Sequence, residues 1–288
     1  MTDSHAPGNR GTDSHLLPVI RGFQLTELLS RTASGNVYLA RHTKSGQEAE
    51  VKLMHVASRD DTRTALRVRR EVQALTRLKF AHIIGGGVDE ESGREFLLME
   101  RVPGITLDQH LAKVGRLRFQ DALAIHLRIL EAIAVAHKAD VLHRDIQPRH
   151  VLVADDGRVL LRGFSLAKIV TGGDDGEGTL AQNESGDAVL NLFRAPEQLE
   201  EEECTPRTDI YSIGLVLYVS LLGTLPWDGP PMEQVLARMS VPAIPANRRD
   251  ESVPDYLSNL LGRMLAIDPF KRPASAEETA RLLRGEDE

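Results

Sequence analysis

The spacing of apolar residues changes character along this chain, and that change restricts it to a fold made of two unlike parts. Up to Arg101 most apolar runs are short and strand-like: Phe23 to Ser30, Val37 to His42, Glu48 to Met54, Ile83 to Val88 and Glu95 to Arg101. Gly35, Ser45-Gly46 and Glu91-Ser92-Gly93 supply turn signals between them. One helix interrupts the strands, because between Ala65 and Leu78 the residues Val68, Val72, Leu75 and Leu78 recur at helical spacing. After the break at Val102-Pro103-Gly104 the pattern turns helical, over Phe119 to Lys138, Asp209 to Leu222, Met232 to Met239, Pro254 to Ile267 and Ser275 to Arg284. A single hairpin, Val151 to Ala154 and Val159 to Leu161 around Asp156-Gly157, lies among these helices. The expectation is an α+β chain: a β-rich part over residues 23–102 and a mainly helical part over 103–285.

Composition narrows the possible partners. With 288 residues, 41% of them hydrophobic and 27% charged, the chain can bury a substantial core. A formal net charge of -7 argues against a surface made to neutralise phosphate backbones, so nucleic acid is not an expected partner. The single cysteine, Cys204, excludes an internal disulfide. Residues 1–22 read as a flexible polar tail. The most apolar stretch, Ile213 to Leu222, is too short for a membrane span, which needs about 20 residues. No membrane partner and a cytoplasmic location are therefore expected.

Two constellations carry chemistry. Glu71 shares a helical face with Val68, Leu75 and Leu78, so its carboxylate faces the core and needs a cation. Lys52, within the apolar strand Val51 to Met54, is the best upstream candidate. The second constellation is His143-Arg144-Asp145, which follows the apolar run Ala139 to Leu142 and precedes the hairpin. With Asp156 and Gly157 as a two-residue loop, counting back along the strands sets His150 opposite Gly163, just downstream of Asp145.

The order and spacing of these residues resemble eukaryotic-type Ser/Thr protein kinases, including the bacterial ones, over nearly all of Phe23 to Leu283. The resemblance is carried by Ala49-Glu50-Val51-Lys52 for VAIK, by Glu71, and by His143-Arg144-Asp145 for HRD. Arg194-Ala195-Pro196-Glu197 for the APE region, Asp209 to Gly214, and Arg272 complete it. It implies a two-lobe fold in which Lys52 pairs with Glu71 and touches the α- and β-phosphates of ATP, while Asp145 orients the substrate hydroxyl. By the same resemblance Gly35 and Val37 cover the nucleotide, and Met99 guards the back of the adenine pocket. The backbone of Glu100 and Val102 offers hinge hydrogen bonds, and Leu152 forms the floor. His143, Arg144, Glu197, Asp209 and Arg272 are expected to hold architecture, with Glu197 and Arg272 as a buried ion pair and Asp209 fixing the HRD backbone.

Several positions depart from the family pattern, all in one direction. Gly163-Phe164-Ser165 stands where DFG belongs, and His150 stands where the catalytic-loop Asn belongs, so both magnesium ligands are missing. Gln147 replaces the catalytic-loop Lys, and Leu190 replaces the Thr before the APE region. Ser30 to Gly35 keeps only the last of three glycines, and Glu50 replaces the small residue over adenine, where its carboxylate would oppose a nucleotide. Loss of one preorganised charge-stabilising group costs about 3 kcal/mol, roughly a hundredfold in rate.

The leading expectation is a pseudokinase in signalling, serving as a regulatory or binding module for an unknown protein. It would bind ATP weakly, bind Mg2+ doubtfully and hold no other metal. An active Ser/Thr kinase with unusual metal handling, through His150, is the alternative; the plainer route to activity is that Asp155, Asp174 or Asp175 substitutes for the missing ligand. Transfer of another group from a nucleotide is a third reading. Thr171, Thr179 and Ser185, in a long segment over 169–191, offer sites for modification, to which Arg144 could respond.

Overall fold

The computed structural model describes residues 17–32, 34–55, 62–78, 80, 82–170 and 192–286, without the side chains of 62–69. The β-rich part is one antiparallel six-stranded sheet of β1 (Val19–Ile20), β2 (Phe23–Arg31), β3 (Gly35–His42), β4 (Glu48–Met54), β5 (Ile83–Val88) and β6 (Glu95–Glu100), in the order β1-β2-β3-β4-β6-β5. One face closes over a small core of Ile20, Leu25, Ala40, Val51, Leu53 and Phe96. Helix α1 (Thr62–Leu78) lies between β4 and β5 and buries Ala74, Leu75 and Leu78 in the large core shared with the helical part.

The sheet begins inside the stretch expected to be a flexible tail. A tight turn at Arg21-Gly22 folds β1 back on β2, pairing Val19 with Gln24 and Ile20 with Phe23. Ile20 is thereby buried, which removes its side chain from water and holds the segment in place. Residues 1–16 of that tail lie outside the described residues.

The helical part starts with β7 (Gly104–Thr106) and α2 (Leu107–Val114), followed by α3 (Phe119–Lys138) and β8 (Val141–Leu142). The hairpin strands β9 (Val151–Ala154) and β10 (Val159–Leu161) join β7 in a three-stranded sheet, and β11 (Lys168–Ile169) pairs with β8. Then come α4 (Pro196–Leu199), α5 (Pro206–Leu222), α6 (Pro231–Ala237), α7 (Ala246–Arg249), α8 (Asp255–Met264) and α9 (Ala276–Leu283). Helix α5 is buried on every side, as an all-round apolar sequence requires. Thr205 caps its start by accepting from the Arg207 N–H, and Gly223 ends it. Among the described residues no helix is long and apolar enough to cross a membrane.

The hairpin corrects the expected register by one residue. Val159 pairs with Val153 and Leu161 with Val151, so Ala154 meets Arg158 across a three-residue loop, Asp155 to Gly157. Gly157, at φ 85°, takes the left-handed position that closes such a loop. His150 therefore stands opposite Arg162, whose N–H donates to the His150 carbonyl at 2.8 Å, and Gly163 lies one step further on.

Candidate active site

The site lies where the two parts meet, and each of its side chains is placed by a short run of local structure. Lys52 projects from the middle of β4, paired in the ladder with Val37 and Leu97. Its ammonium donates to both carboxylate oxygens of Glu71 at 2.6 Å, and both residues are nearly excluded from water. Ser34 also turns inward and donates to Glu71 Oε2 at 2.6 Å. Strand β3 begins directly after it at Gly35, opposite Met54.

Below the cleft, the HRD run is held by Asp209 from the first turn of α5. Its buried carboxylate accepts from the His143 N–H at 2.9 Å, the Arg144 N–H at 2.8 Å and His137 Nε2 at 2.9 Å. Burial raises its affinity for a proton, but the His137 bond and these donors outweigh that and leave the carboxyl below its ordinary range. Arg144 sits at φ 62°, a left-handed conformation that the paired donors hold against its strain. His143 is fully buried, which drives its pKa down, and its neutral ring donates from Nε2 to the Arg162 carbonyl. Phe164 packs on that ring at 4.4 Å between centroids and on Phe80 at 5.7 Å.

Asp145 is engaged rather than open. Gln147 Nε2 donates to its Oδ1 at 2.5 Å, and His150 Nδ1 lies 3.4 Å from its Oδ2. The same Nδ1 donates to the Asp145 carbonyl at 2.8 Å, which fixes the ring across the patch. Gly163 lies beneath it at φ 85°, and a Cβ there would fall 2.6 Å from His150 Cγ and Nδ1.

At the other end of the cleft, Glu50 is paired in the ladder with Met99, while Val102, Leu152 and Ala154 form one apolar cluster. Glu50 does not present a bare charge. Its buried carboxylate meets Arg101 Nη1 at 3.1 Å and Arg162 Nη1 at 3.3 Å, which corrects the expectation of a carboxylate left to oppose a nucleotide. Arg158 adds two bonds to Glu100, at 2.8 and 2.9 Å. Further down, Arg272 grips Glu197 through both guanidinium ends, at 2.7 and 2.9 Å. The sequence reading missed Arg101, Arg158 and Arg162. The rule that sent Glu71 in search of a cation applied equally to Glu50 in its apolar strand. Leu190, Thr171, Thr179, Ser185, Asp174 and Asp175 lie outside the described residues.

A β-rich lobe and a helical lobe, joined after β6 and closing over a Lys-Glu pair and an HRD run, define a protein-kinase fold. The chain belongs to the protein kinase domain family, whose model matches residues 23–281. It is 29% identical over 258 residues to the serine/threonine-protein kinase PrkC of Bacillus subtilis, covering 89% of this chain and 39% of that relative. It is 31% identical over 271 residues to the serine/threonine-protein kinase PknH of Mycobacterium bovis, covering 93% and 44%. The chain thus spans less than half the length of these relatives. Among solved structures, the PknI kinase domain of Mycobacterium tuberculosis is similar in fold, with TM-score 0.68 at 23% identity over 94% of this chain and 98% of that one.

Proposed function

We propose that this domain is a pseudokinase: it has given up two-metal phosphoryl transfer and acts as a cytoplasmic regulatory or binding module for another protein. Of the residues that the resemblance makes catalytic, Lys52, Glu71 and Asp145 are retained, while Gln147, His150, Gly163 and Leu190 are the changed positions. ATP, if offered, would lie among Gly35, Val37, Lys52, Met99, Glu100, Val102 and Leu152 and bind weakly, without help from magnesium.

One observation carries the reading. Magnesium requires hard oxygen donors beside the phosphates, and the patch has a glycine, an imidazole and an occupied space between them. The ring of His150 crowds the position from which a side chain on residue 163 would have to start, with Cγ and Nδ1 2.6 Å from where its Cβ would lie. Its Nδ1 proton is committed to the Asp145 carbonyl, so that nitrogen has no lone pair for a metal. These residues do not fit the ion.

The test is a phosphotransfer assay on the purified chain with ATP, a generic protein substrate, and magnesium or manganese. The expected rate equals that of Asp145→Asn; transfer above that background refutes the proposal. An active kinase with non-standard metal handling is favoured by one fact, the intact Lys52–Glu71 pair. That reading requires a measurable rate that Lys52→Met abolishes.

A further inference from the structure

The arginines around Glu50 belong to different parts of the fold. Arg101 follows β6, in the connection out of the six-stranded sheet, whereas Arg162 follows β10 in the helical lobe, one residue before Gly163. Glu50 comes from β4, so the Glu50–Arg162 pair, at 3.3 Å, runs from lobe to lobe. The Glu50 side chain is only 3% exposed and Arg162 is 31% exposed, so one end of the pair is shielded from water. A pair so placed is screened less than a surface one. Glu50 is also held by Arg101, whose Nη1 donates to Oε1 at 3.1 Å, so the carboxylate keeps one partner when Arg162 is removed.

Other contacts close the cleft in the same sense. Arg158, in the hairpin, donates to Glu100 at the end of β6, a second tie between the lobes. At the opposite end, the inward Ser34 on Glu71 takes up space beside the Lys52 ammonium. All these partners are supplied by the chain itself.

We propose that Glu50 and Arg162 form a bolt across the base end of the cleft, which shuts out a purine and holds the lobes together without a ligand. The location of the base end rests on the kinase-like reading given above. The bolt is a charged, hydrogen-bonded obstacle, so a purine ring entering there would strip Glu50 of Arg162 and leave a buried carboxylate half neutralised.

Arg162→Met is the discriminating variant, because it removes the cross-lobe half and leaves Glu50 paired to Arg101. Adenosine is the probe: it has no phosphates, so its binding is independent of metal handling and of phosphotransfer. Titration of wild type and variant should show at least tenfold tighter adenosine binding by Arg162→Met. Small-angle scattering should show a larger radius of gyration for the ligand-free variant. Glu50→Ala/Arg162→Met, which removes the carboxylate at position 50 as well, should bind adenosine at least as well and serves if the single variant folds poorly. Equal adenosine affinity in wild type and folded variants, whether measurable or nil in all, overturns the bolt. Phosphotransfer by the wild type overturns the pseudokinase reading instead, so the two failures are distinct.

Discussion

The imidazole of His150 and the backbone of Gly163 are fitted to one another. A Cβ on residue 163 would fall 2.6 Å from His150 Cγ and 2.8 Å from Cδ2, nearer than real Cβ atoms come to ring atoms. Gly163 also holds φ 85°, which L side chains adopt with strain. The two departures from the family pattern are therefore one change: the ring at 150 requires the absence of a side chain at 163.

Restoring an aspartate at 163 alone should accordingly harm the fold. Gly163→Asp is expected to lose about 1–3 kcal/mol, the usual range for overpacking. His150→Asn removes the obstructing ring, so the double variant should be more stable than the sum of the singles by about 1 kcal/mol or more. Thermal melts of the four proteins measure this coupling. Additive losses would show that the two positions act independently.

Much of this was legible in the sequence. The β4 and β5 bounds and those of α3 follow from apolar periodicity, because the strands are flanked by turn residues and α3 has a continuous apolar face. What was not legible is long-range. The hairpin register depends on whether Asp155 joins the loop, which turns on Asp156: it does not take the positive φ that a two-residue type I′ loop needs, and no apolar pattern reports that. The partners of Glu50 lie 51 and 112 residues away in sequence, so spacing cannot reveal them, although an inward carboxylate signals that partners exist. Val19 and Ile20 were hidden for another reason: a two-residue strand gives no periodicity to read.

The Lys52–Glu71 pair should behave as a buried ion pair in which each member protects the other. Both side chains are under 10% exposed, so Lys52→Met leaves Glu71 largely desolvated and without its cation, with Ser34 as a remaining donor. A loss of about 3–5 kcal/mol is expected. Lys52→Met/Glu71→Leu removes both charges and should recover part of it. Chemical denaturation of singles and double gives the comparison, and a double variant less stable than Lys52→Met would contradict this account.

Acid should destabilise the fold through histidines held neutral. His126 is wholly buried with Nδ1 on the Ala122 carbonyl, and burial lowers its pKa from 6.5 to about 4. His82 is lowered to about 4 by burial and then by the nearby Arg162 charge. Between these values and 6.5 the unfolded chain binds more protons than the folded one, so stability rises with pH across that window and falls as pH drops through it. Above about 6.5 the contribution is complete. Full linkage at His126 is on the order of 3 kcal/mol. Melting temperature against pH should therefore decline from 6.5 toward 4, and His126→Gln should flatten the decline; an unchanged slope would place the acid sensitivity elsewhere.

Asp209 should control the HRD backbone locally before it affects the whole fold. Its carboxylate satisfies two buried N–H groups, at His143 and Arg144, and the second belongs to a residue at φ 62°. A left-handed non-glycine residue costs about 1–2 kcal/mol and persists only when its surroundings enforce it. Asp209→Asn keeps the volume but turns one acceptor into a donor facing donors, so one of those amides is orphaned, at about 1–3 kcal/mol. Arg144, already strained, should open first. Hydrogen exchange should therefore quicken at the 143 and 144 amides by roughly tenfold or more, beyond any change in the core of α5. Uniform acceleration across both regions would mean instead that Asp209 stabilises the lobe as a whole and does not specifically hold this turn.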